Sequence, residues 1–100
     1  FSAIVASNDD MAIGAACALH NAGLRIPHDV SLLGFDDIPV APYLLPALTT
    51  VHVPVAEMVS SALTQLSKML DGESVTAQPL MPGRLVLRNS ITQGPYYQQK

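Results

Sequence analysis

The chain has 100 residues, enough for about one small domain, and 49% of them are hydrophobic against 13% charged. Five Lys and Arg against eight Asp and Glu give a net charge of −3. With no cationic cluster to neutralise phosphates, this stretch is not expected to bind DNA by itself. The single cysteine, Cys17, argues against a disulfide framework or a thiolate metal site. No apolar run approaches the roughly 20 residues of a membrane-spanning helix. So apolar a composition fits a piece of a larger core or a subunit with a buried interface. The start at Phe1, already inside an apolar run, is expected of a chain that begins further upstream.

The first half reads as strand, helix, strand. Ala3 to Ala6 is a continuous apolar run, as in a strand covered on both faces. Ser7-Asn8-Asp9-Asp10 follows, a helix start in which Ser7 and Asp10 approximate a capping box and the acidic pair suits the positive end of the helix dipole. The helix is expected from about Asp9 to Asn21, with Gly14 and its alanines allowing close approach of a neighbour. Gly23 serves as a left-handed stop, and Pro27 prevents continuation. Val30 to Phe35 is the second buried strand. Two short strands joined by such a helix predict a right-handed parallel crossover, and hence an α/β fold.

Asp36-Asp37-Ile38-Pro39 ends that strand, and an irregular loop with three prolines and Tyr43 runs to Pro46. Leu48 to Val53 is a further extended segment. Pro54 suits the first position of a second helix. In that helix, up to Leu70, Val55, Met58, Val59, Ala62, Leu63, Leu66, Met69 and Leu70 recur at helical spacing, opposite Ser60, Ser61, Thr64, Gln65 and Lys68. Met11, Met58 and Met69 read as core packing. Gly72 ends the helix, a Pro/Gly-containing loop follows, and Arg84 to Arg88 is a last strand. Residues 1–92 thus read as one incomplete domain and 93–100 as a polar tail.

In open α/β sheets, ligands bind beyond the C-terminal ends of the strands. Asn8 follows the first strand and Asp36 the second, so parallel neighbours would bring both to one edge. An amide that donates and accepts, beside a carboxylate that accepts from two hydroxyls, suits a polyol such as a sugar. At this point Asn8 reads equally as a helix cap and Asp36 as a turn residue. The four aspartates Asp9, Asp10, Asp36 and Asp37 lack calcium-loop spacing, and His20, His28 and His52 lack metal-ligand spacing. No G-x-S-x-G elbow, Cys–His pairing or phosphate-binding glycine loop is present. No catalytic residue, metal or cofactor is therefore assigned.

Four segments carry a resemblance. Ala6-Ser7-Asn8-Asp9-Asp10-Met11-Ala12-Ile13-Gly14 resembles A-x-N-D-x-M-A-x-G. Gly23 to Asp37 resembles G-x-x-x-P-x-D-[IV]-S-[IVL]-x-G-[FY]-D-[DN]. Pro46 to Val51 resembles P-x-L-T-T-[IV], and Leu85 to Ser90 resembles L-[IV]-x-R-x-S. Their order and gaps are similar to those of the LacI/GalR family of bacterial transcriptional repressors, over nearly the whole chain. The resemblance implies part of a periplasmic-binding-protein-like pair of α/β subdomains, with a small effector in the cleft between them. It implies a cytoplasmic homodimer or tetramer that touches operator DNA only through an N-terminal helix-turn-helix domain, no membrane contact, and no cofactor.

The resemblance also implies that Asn8 and Asp36 reach the effector, and that Ile13, Cys17, Tyr43 and Leu44 contribute to dimer contacts, positions that ordinary core packing would also explain. Val55 falls near a family pocket aromatic and offers no stacking platform for a sugar ring. The second helix is expected to pack in the other subdomain from Asn8 and Asp36, leaving these 100 residues with exposed apolar surface and prone to instability or association. A periplasmic sugar-binding protein of a transport system shares the fold and part of the signature; the P-x-L-T-T and L-V-L-R-N-S segments favour a repressor. An enzyme of the doubly wound class lacks its signatures here.

Overall fold

A computed structural model describes residues 1–95. Strand β1 (Ala3–Val5) pairs in parallel with β2 (Ser31–Leu33), Ile4 opposite Leu32. Helix α1 (Asp9–Asn21) connects them, so the expected parallel crossover is present. Beyond β2, parallel bridges from Leu33 to Thr49 and from Asp36 to His52 link it to β3 (Thr50–His52). Strand β3 in turn pairs antiparallel with β4 (Arg84–Val86). The chain forms two units, residues 1–52 with 84 onward, and Val53–Gly83.

The ends of α1 follow from local chemistry. Asn8 is the N-cap, its Oδ1 accepting from Met11 N at 2.8 Å. The Ser7–Asp10 box is therefore not formed; the cap sits one residue later, because Asp9 turns inward. At the other end Gly23 takes φ +75°, Gly23 N donates to His20 O at 3.0 Å, and Leu24 N donates to Leu19 O at 2.9 Å. This double closure of the last turn needs a left-handed residue, which glycine adopts without strain.

In the first unit Ala12 of α1 packs with Leu32, Ala41 and Leu48, all buried, and Ile4, Ile26, Ile38 and Leu44 pack around them. Three expectations fail here. Val5 is 74% exposed, so β1 is not covered on both faces. Met11 is exposed rather than core. A Cβ at Gly14 would meet nothing within 4 Å, so close approach does not explain that glycine.

The second unit holds α2 (Val55–Leu70), with Pro54 at its N-cap rather than its first turn, and Gly72 at φ +81° just past its end. None of its residues is buried. Met58, Leu63, Leu66 and Met69 are between 46% and 61% exposed, so the core packing expected of Met58 and Met69 is not found. The better covered positions lie on the polar side, where Ser61 and Gln65 share a shallow pocket with Val75 and Thr76. Of the tail expected over 93–100, residues 96–100 lie outside the described residues.

Candidate ligand-binding edge

Parallel pairing of β1 and β2 sends both chain segments out at the same edge of the sheet. Asp9 N donates to Phe35 O at 2.9 Å there, so the turns carrying Asn8 and Asp36 are directly bonded. The edge expected from the sequence is therefore formed. Asn8 has committed its Oδ1 to the helix cap, which leaves its amide N–H groups as the end able to bond elsewhere. The Asp36 side chain is exposed, and among the described residues nothing hydrogen-bonds its carboxylate.

Asp36 and Asp37 both have positive φ, +114° and +57°. For residues with a Cβ such geometry is costly and persists only where surrounding contacts over-determine it. Those contacts are present. Asp36 N donates to Val51 O at 2.9 Å, which holds the turn to β3. Asp37 Oδ1 accepts from Arg88 Nη2 at 2.8 Å, and Asp37 Oδ2 lies 2.9 Å from His52 Nδ1. Arg88 is held in turn, Nη1 donating to Leu48 O and its backbone N to Thr49 Oγ1, both at 2.9 Å. Burial works against ionisation of Asp37, but the hydrogen bonds from Arg88 and then His52 outweigh it and hold its carboxyl below the ordinary range.

Beneath the turn lies Asp9, fully buried. Its Oδ1 accepts from Thr50 Oγ1 at 2.6 Å and its Oδ2 from Ile38 N at 2.9 Å. A Cβ at Gly34 would collide with this carboxylate, which explains the glycine between Leu33 and Phe35. On the far side of β2, Ser90 Oγ accepts from Thr49 N at 2.8 Å and donates to Leu32 O at 2.6 Å. Asp9, Asp37, the Thr49-Thr50 pair, Arg88 and Ser90 thus form a polar lattice in which all four sequence segments meet. From the sequence alone Asp9 reads as a dipole residue and His52 as one of three scattered histidines. The available signal is polar residues in or beside apolar segments, Thr49 and Thr50 between Leu48 and Val51, and Arg88 directly after Leu85 to Leu87.

Cys17 is exposed, Ile13 half-buried, and Leu44 half-buried against the core, while Tyr43 is 81% exposed. A groove of about 630 Å³ lies between the α1 side and the loop, lined by Ala16, Cys17, Leu24, Ile26 and Leu45 among others. Val55 is exposed on α2. No group of three or more His, Cys, Asp or Glu side chains suited to a metal occurs among the described residues, and none of their helices is long and apolar enough to cross a membrane.

A family profile, the periplasmic binding protein-like domain, matches residues 2–91. The chain is 50% identical over 91 residues to the HTH-type transcriptional regulator AscG of Escherichia coli (strain K12), covering 91% of this chain and 27% of that protein. The crystal structure of the Escherichia coli transcriptional repressor ascG superposes with a TM-score of 0.85 at 49% identity, over 93% of this chain and 34% of that one. The lac repressor dimer bound to operator and an anti-inducer gives a TM-score of 0.85 at 30% identity, over 92% and 32% of the two chains. A LacI family transcriptional regulator from Lactobacillus casei with bound sucrose gives 0.78 at 36% identity, over 89% and 33%. The chain belongs to the periplasmic binding protein-like domain family and, within it, to the LacI/GalR type, and it spans about a quarter to a third of the length of these relatives.

Proposed function

We propose that this chain is the effector-sensing and dimerisation region of a cytoplasmic DNA-binding transcriptional regulator. It binds its ligand without transforming it. The observation that carries this reading is the Asp36 carboxylate, projected by a strained turn and left without a protein partner among the described residues, beside an Asn8 amide that has only donors to offer. Such a pair asks for a ligand that donates to Asp36 and accepts from Asn8. Vicinal hydroxyls do both, so a sugar or related polyol is the effector class. Sucrose in the Lactobacillus casei relative supports that class.

Effector bound at this edge shifts a two-state equilibrium, by no more than its differential affinity for the states, and so changes operator affinity. Operator contact belongs to a helix-turn-helix domain in the longer protein, as the description of AscG as an HTH-type regulator supports. Ile13, Cys17, Tyr43 and Leu44 contribute to the homodimer face, Cys17 being the one of the four that lines the groove beside α1; the lac repressor relative is a dimer on operator. The alternative, a periplasmic transport receptor, is not favoured, because the relatives above are transcription regulators. Residues 1–92 are read as part of a larger effector-binding domain.

The test is a thermal-shift screen of the full-length protein against mono- and disaccharides, repeated with Asp36→Ala. At least one sugar is expected to raise the melting temperature of the unmodified protein and to lose that effect in the variant. An Asp36→Ala protein stabilised equally by that sugar would refute the site.

A further inference from the structure

We propose that Arg88 and His52 are positioning residues for Asp36: through Asp37 they hold the strained turn that presents the Asp36 carboxylate to the effector. The role of Asp36 rests on the effector reading above; the latch itself is a property of the turn.

Two consecutive positive-φ aspartates are the least favourable backbone segment described in the chain, and each costs about 1–3 kcal/mol when unsupported. Asp36 itself contributes only its backbone N–H, bonded to Val51 O, since its side chain makes no hydrogen bond among the described residues. The support comes from its neighbour. Asp37 places one carboxylate oxygen on Arg88 and the other on His52, at 2.8 and 2.9 Å, with side chains only 14% and 17% exposed for Asp37 and Arg88. A charge-assisted pair so far removed from water is stronger than a surface ion pair. Arg88 is also tethered to Leu48 O and Thr49 Oγ1, so it is a fixed anchor rather than a swinging side chain.

The two anchors lie at separate places along the chain. His52 ends β3, the last residue before the chain leaves the first unit, and Arg88 lies just beyond β4, by which the chain returns. Asp37 therefore ties the turn to both connections at once. Loss of either anchor leaves Asp36 at the edge but frees the turn to relax toward negative φ, which re-aims the carboxylate.

Hydrogen–deuterium exchange on the full-length protein tests this without any effector. In Arg88→Ala the amides of residues 35–38 are expected to exchange about tenfold faster, while those within α1 are unchanged. Glycine pays no penalty at positive φ. Adding Asp36→Gly to Arg88→Ala is therefore expected to restore protection to within about threefold, a rescue that general destabilisation would not give. Should Arg88→Ala loosen the whole protein, His52→Gln decides, because His52 is partly exposed: faster exchange confined to 35–38 supports the latch. Unchanged exchange at 35–38 in both variants, or no rescue by glycine, overturns it. A loosened turn together with an Asp36→Ala protein that responds normally to its sugar would sink the effector site and leave the latch standing.

Discussion

The two units are built on opposite principles. The first buries an apolar cluster around Leu32 and Leu48 and seals it with a polar lattice in which Asp9, Thr49, Thr50 and Ser90 are all buried and bonded. The second covers the polar side of its one helix better than the apolar side. An amphipathic helix that exposes its apolar stripe gains little from burial, and hydrophobic burial is the dominant favourable contribution to folding. The first unit therefore buries an apolar cluster of its own, whereas the second leaves Met58, Leu63, Leu66 and Met69 uncovered.

The largest effect that would break this contrast is at Asp9. Asp9→Ala leaves the Thr50 hydroxyl and the Ile38 amide without their acceptor, and is expected to cost the full-length protein about 3 kcal/mol or more in urea denaturation. A loss under about 1 kcal/mol would mean that the lattice does not hold the first unit together.

Leu48 and Leu63 make the comparison directly. In the 100-residue chain Leu48→Ala is expected to cost about 3 kcal/mol, and Leu63→Ala less than about 0.5 kcal/mol. The same chain is expected to self-associate in sedimentation through the α2 stripe, and Leu63→Asp with Leu66→Asp to shift it toward monomer. Monomer behaviour of the unmodified chain at high concentration would show that its apolar stripe needs no partner.

Smaller effects follow from ionisation. Because the folded state holds the Asp37 carboxyl below its ordinary value, its contribution is fully present above the unfolded value of about 4 and is lost as pH falls through the folded one. Asp37→Asn is expected to flatten that part of the acid limb of the stability profile while leaving Asp9 in place. The smallest effect is at the exposed pair Arg25–Asp29, 2.9 Å apart, where hydrogen bonds from Arg25 lower Asp29 to about 2. Arg25→Ala is expected to return Asp29 toward the ordinary carboxylate range by NMR titration, with no measurable change in melting.

The element order and both helices are legible from apolar periodicity and glycine stops, and the meeting of Asn8 and Asp36 at one sheet edge from their positions after two parallel strands. The polar lattice is not. Hydrophobic patterning carries no information on which buried oxygen meets which donor, and the partners of Asp9 and Asp37 lie 29 to 51 residues away, apart from the nearer Thr50 and His52 contacts of Asp37. The failed readings of Met58 and Met69 share another cause: periodicity identifies an apolar face but not whether anything covers it. The sequence offers both Ser7 and Asn8 as the cap, because neighbouring polar residues can all cap a helix, and only the inward turn of Asp9 selects Asn8.

The most direct measurement is operator binding by the full-length regulator, with and without the sugar that stabilises it, for the unmodified protein and for Asp36→Ala. The sugar is expected to change operator affinity of the unmodified protein by at least about fivefold, and to leave that of Asp36→Ala unchanged while its binding without sugar persists. An Asp36→Ala protein that still responded in full would contradict the assignment of this sheet edge as the effector site.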